Sequence, residues 1–122
     1  MTHTVSTLPF HMADLYQGLV KCHGLLHCDG EALHIELQLR DALTGWLRGK
    51  IRQYEIPLQQ LAGVEYDVRF FGLLATCNVQ VFSMSLLIGF PHAKSGRCRL
   101  GIARKDRQKA KAFVEYIKTL RA

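Results

Sequence analysis

The chain contains no Gly-rich phosphate loop, no G-x-S-x-G elbow and no zinc-type Cys/His spacing. The sequence signatures of phosphoryl transfer, serine hydrolysis and structural zinc are therefore missing. Residues 1–9 carry no Lys or Arg and no apolar run, so they do not read as a secretory signal. Cysteine is limited to four residues without a stapling pattern, which fits free buried thiols in a reducing cytosol and a cytoplasmic protein. Acids are scarce at one end. From Lys94 onward ten Lys/Arg face two Asp/Glu, whereas the preceding 93 residues hold six Lys/Arg and eight Asp/Glu. A near-neutral body with a basic tail favours an acidic partner, although solubility explains it as well.

Charge is also absent from Phe70 to Pro91, a stretch long enough to cross a bilayer. Its interior argues against a span. Thr76, Asn78 and Gln80 alternate with Cys77, Val79 and Val81, the period of a strand, and Asn and Gln would be costly in hydrocarbon. The chain is read as soluble, without a transmembrane segment. Its 122 residues, 48% apolar and 21% charged, suffice for one domain with a real core.

What is present is mostly alternation. Residues 19–28 read as a strand with Val20, Cys22, Leu26 and Cys28 on one face. Gly24 lies on that face, where a missing side chain permits a bend or close packing. Asp29-Gly30 signals a hairpin of type I′. Leu33, Ile35, Leu37 and Leu39 then alternate with polar residues. Further strands are expected over 51–58, 64–70, 76–82, 83–90 and 97–102. Residues 41–50 form a loop carrying the single tryptophan, Trp46, and Pro57 marks a strand end or sheet edge. After the last strand the period changes, and Ala110, Phe113, Val114, Ile117 and Leu120 fall on one face of a helix. Residues 1–18 are left as an N-terminal arm or short helix, with the domain proper at 19–122.

Seven short strands and one closing helix make a mainly β chain. In this order the elements resemble the pleckstrin-homology-like fold, especially its small bacterial members. The resemblance is carried by the hairpin at Asp29-Gly30, by Tyr54-Glu55-Ile56-Pro57-Leu58 leading into Leu61-Ala62-Gly63-Val64-Glu65, and by Leu100-Gly101-Ile102-Ala103-Arg104 running into Asp106-Arg107. It implies a roll or barrel of seven antiparallel strands in two near-orthogonal sheets, capped by the amphipathic helix. Phosphoinositide binding in that family uses basic residues at the first hairpin. Here the tip is Asp29-Gly30-Glu31, which counts against such a site.

The candidate sites are few. Cys22-His23 and His27-Cys28 look like metal ligands, but six residues of strand separate the two cysteines by about 20 Å. Cysteines and histidines also have opposite parity and face opposite sides of the sheet, so no metal or other cofactor is assigned. His34 beside Glu36 is an exposed pair on one face, and no nucleophile–base pair stands out, so the chain is read as non-catalytic. Arg104, Arg107, Lys111 and Lys118 form one row beside the apolar helix face, with Glu115 placed to pair with two of them. Trp46, between two glycines and followed by Arg48, Lys50 and Arg52, is an interface candidate because exposed tryptophan anchors contacts.

Two functions compete. The first is an interaction or self-association module binding a protein or peptide at an open sheet edge near Pro57 or at Trp46 and its loop. The second is nucleic-acid or anionic-surface binding through the row Arg104, Arg107, Lys111 and Lys118. Weak attraction of Lys94, Arg97 and Arg99 to anionic lipid also stays open.

Overall fold

Alternation demands a ladder partner for every strand, and the computed structural model supplies them within one antiparallel sheet. It describes residues 7–15, 20–47, 49–91 and 93–121, the side chains of 13–15 excepted. The strands are β1 (Thr7–Leu15), β2 (Val20–Cys28), β3 (Ala32–Asp41), β4 (Arg52–Pro57), β5 (Leu61–Arg69), β6 (Leu74–Val81) and β7 (Arg97–Ile102). Their order across the sheet is β4-β3-β2-β1-β7-β6-β5. Helix α1 (Arg107–Arg121) follows β7 through a 3₁₀ turn at Arg104–Asp106.

Two strand expectations change. Of the N-terminal stretch expected as an arm or short helix, Thr7–Leu15 is strand β1, mid-sheet between β2 and β7 and burying Leu8, Phe10 and Met12. Residues 1–6 and 16–18 lie outside the described residues. The strand expected over 83–90 does not form. A 3₁₀ turn occupies Met84–Leu87, and Leu87 and Phe90, three residues apart, point inward as a turn requires. The physical reason is the spacing of the two buried residues: a strand would send Leu87 and Phe90 to opposite faces, whereas a turn buries both.

The ladder is thinnest at its middle. Among the described residues β1 and β7 are joined by the single pair His11↔Gly101, where a four-stranded half meets a three-stranded half. Gly101 permits the approach: a Cβ there would lie 2.8 Å from both Nε2 and the carbonyl oxygen of His11. Gly24 plays the same part inside the first half. It pairs with Phe10, and a Cβ would run into the Phe10 ring and the Glu36 carbonyl.

The edge strands β4 and β5 are linked by only three residues, Leu58–Gln60, so the sheet must bend until its two edges come close. No β4–β5 pairing closes it. The inner face is filled by alternate residues of all seven strands and covered by Ala110, Phe113, Val114 and Ile117 of α1. Phe113 and Ile117 are fully buried, each contributing roughly 1.5–3 kcal/mol through apolar burial. Among the described residues no helix is long and apolar enough to cross a membrane.

Candidate docking surface

Trp46 sits in a loop that the chain ties down before the side chain is presented. Asp41 starts it: its Oδ1 accepts hydrogen bonds from the N–H of Leu43 (2.8 Å) and Thr44 (3.0 Å). The Asp41 carbonyl accepts from Gly45 N–H and its own N–H donates to the Trp46 carbonyl, both at 2.9 Å. Arg40 Nη1 donates to the Gly45 carbonyl at 3.0 Å, and Trp46 N–H donates to Thr44 Oγ1 at 3.2 Å. Gly45 takes φ +76°, which a side chain would resist. The result is a fixed turn with Leu43 90% and Trp46 76% exposed. An anchor held this way loses little conformational entropy on contact.

A second apolar segment lies beside this loop's exit into β4. Arg52 Nη1 donates to the Gly89 carbonyl at 2.7 Å, and the Tyr54 and Phe90 rings meet edge to face at 5.2 Å. Ile51 and Ile88, the neighbours of Arg52 and Gly89, are both exposed. The segment that buries Leu87 and Phe90 thus adds Ile88 to the apolar surface while lying against β4. Pro57 ends β4 opposite Ala32 and is half-buried, at the other end of that strand from Trp46.

The basic row is partly engaged with the domain itself. Lys111 Nζ lies 5.8 Å from the centroid of the Tyr66 ring, and Lys118 Nζ lies 3.3 Å from Glu65 Oε2. The pair formed by Lys118 is therefore with β5 and not with Glu115 of its own helix. Arg107 is half-buried, its Nε without a hydrogen-bond partner among the described residues. Arg104 is exposed on the turn before α1. Exposed pairs like Lys118–Glu65 contribute at most about 1 kcal/mol, but they occupy the charge.

The histidines and cysteines separate by parity as expected. Cys22, Cys28, Cys77 and Cys98 are buried, while His23 and His27 are exposed. Burial pushes the Cys22, Cys77 and Cys98 thiols up to about 12, so they stay protonated near neutrality and are poor nucleophiles. His34 does not pair with Glu36. Its Nε2 lies 2.9 Å from Asp29 Oδ2 and its Nδ1 3.8 Å from Glu55 Oε1. The Asp29 contact orients the imidazole beside an open groove that His27, His34, Tyr54 and Glu55 line.

One exposed group was missed by the sequence reading. The strand expected over 64–70 ends at Arg69, and Phe70-Phe71-Gly72-Leu73 forms the tip joining β5 to β6. It is a turn closed by a Leu73 N–H to Phe70 carbonyl bond of 3.1 Å. Phe70 and Phe71 both take the left-handed backbone, at φ +55° and +57°. That conformation costs roughly 1–2 kcal/mol per residue for L side chains other than Gly and Asn. The available signal was a lone glycine inside an uncharged apolar run. Comparison of the chain with protein-family models, curated proteins and solved structures finds no match.

Proposed function

We propose that this chain is a non-catalytic interaction module with a pleckstrin-homology-like roll, binding a protein partner through Trp46 and its loop. The strand order with one inner helix supports the roll, and the three-residue link between the edge strands supports a strong bend. The observation that carries the function is the exposure of Trp46 and Leu43 on a turn pinned by its own hydrogen bonds. Interface hot spots are rich in tryptophan, and a fixed turn presents it with little backbone left to order. Loop docking is favoured over strand addition near Pro57, because Leu43 and Trp46 stand exposed whereas Pro57 is half-buried. The simplest partner is a second copy of the chain.

Sedimentation velocity across a concentration series tests this directly. Wild type is expected to form a heavier species that Trp46→Ala abolishes. A monomer at every concentration, together with no protein retained from a native lysate by wild type over Trp46→Ala, would overturn the proposal. Nucleic-acid binding by the helix row is the second reading. Its support is weaker, since Lys111 and Lys118 are already in contact with β5. It requires salt-sensitive binding that disappears in Arg107→Glu/Lys111→Glu.

A further inference from the structure

The β5–β6 tip is a second exposed apolar surface, carried on the edge strand opposite β4 in the sheet order. At the tip Arg69 pairs with Leu74, and at the far end of the same ladder Leu61 pairs with Val81, roughly 25 Å away by strand rise. The segment lying against β4 departs from that far end. We propose that the tip inserts into an anionic lipid surface. Phe70, Phe71 and Leu73 enter the boundary between headgroups and acyl chains, while Arg104 and Lys105 meet the acidic headgroups.

Four observations support that occupant. Phe71 is fully exposed, and Phe70, Leu73 and Leu74 are more than half exposed, so the tip is a convex wedge and not the wall of a groove. The cations stand at its base. Ile102 pairs with Ala75, next to Leu74, so Arg104 and Lys105 leave β7 beside the tip. Lys111, Lys118 and Arg121 then contact Tyr66, Glu65 and Ala62 in turn, so α1 begins near the tip and runs away from it. Of the nearby acids, Asp67 is paired with Arg69 at 2.8 Å, and Asp106 is buried and so does not face a lipid surface. Finally, Phe70 and Phe71 are held in the left-handed backbone while remaining exposed, so packing within the domain does not offset that strain. Apolar wedges flanked by cations suit the chemistry of an anionic interface.

The test is co-sedimentation with vesicles of phosphatidylcholine alone and of phosphatidylcholine mixed with phosphatidylserine. Wild type is expected to pellet with the mixed vesicles about tenfold better than with the neutral ones, and to be released by salt. Phe70→Asn/Phe71→Asn is expected to lose about tenfold in binding while still melting cooperatively, because asparagine tolerates the left-handed backbone. Arg104→Glu/Lys105→Glu is expected to remove the preference for phosphatidylserine. Trp46→Ala is expected to bind vesicles like wild type, which separates this inference from the docking proposal. Absence of pelleting with the mixed vesicles, equal pelleting with both kinds, unchanged binding of the double-asparagine variant, or loss of binding in Trp46→Ala would each overturn it.

Discussion

The β2–β3 and β5–β6 hairpins solve the same problem in opposite ways. Between β2 and β3 the chain turns on Asp29-Gly30-Glu31, with Gly30 at φ +94° and Asp29 Oδ1 accepting the N–H groups of Glu31 and Ala32 at 3.0 Å. Asp29 and Glu31 themselves avoid positive φ, so the turn is an Asp-capped one and not the type I′ turn expected. Between β5 and β6 the chain turns on two phenylalanines in the left-handed region, with no side-chain cap and the apolar rings in water. Local chemistry agrees with the fold in the first hairpin and conflicts with it in the second. Conflicts of that kind concentrate where a chain serves something besides its own stability.

The largest test of this contrast asks whether the half carrying the strained hairpin is needed for folding. Phe113→Asp places a carboxylate among fully buried side chains, a cost exceeding what a domain of this size can absorb. The whole chain is expected to unfold, and a soluble, cooperatively melting variant would show that α1 is dispensable. Next comes Gly24→Ala, whose new methyl meets the Glu36 carbonyl and the Phe10 ring. A loss of about 3 kcal/mol in chemical denaturation is expected; a loss below about 1 kcal/mol would mean that β1 shifts freely over β2. Smaller still, Asp29→Ala is expected to lower the melting temperature by a few degrees by removing the cap of the ordinary hairpin.

The same cap gives a pH dependence with a definite sign. The Glu31 N–H, the His34 side chain and the Ala32 N–H hold the Asp29 carboxyl well below its ordinary value of 3.8. A depressed carboxyl stabilises the fold above the unfolded-state value, and that contribution is lost as pH falls below it. Melts of wild type and Asp29→Ala are therefore expected to converge as pH is lowered through and below 3.8. A gap that stays constant would detach the cap from the charge of Asp29.

Much of the fold was legible because one face of each strand is buried. The alternations through Cys22, Leu33, Val79 and Cys98 and the helical spacing of Phe113, Val114 and Ile117 all correspond to inward positions. What failed depended on distant partners. Pro9 argues against a mid-sheet strand, yet it is tolerated because β7 pairs with β1 at His11 and does not extend to Pro9. Residues 83–90 are uncharged and apolar like a strand, but the segment turns so that Leu87 and Phe90 are both buried while it lies against β4. At the surface, Trp46 was found because tryptophan between glycines stands out in sequence. Phe70 and Phe71 were not, since only the backbone reveals that they turn outward. The row Arg104, Arg107, Lys111 and Lys118 was readable as a helix face, but its contacts with Tyr66 and Glu65 are tertiary.

The most direct measurement is the thermal melt of Phe70→Asn/Phe71→Asn beside wild type. If the tip carries strain that no contact within the domain offsets, the variant melts higher by several degrees, the relief being at most about 2–4 kcal/mol for the two residues. If it melts lower, the two phenylalanines stabilise the fold, and the contrast between the hairpins is wrong.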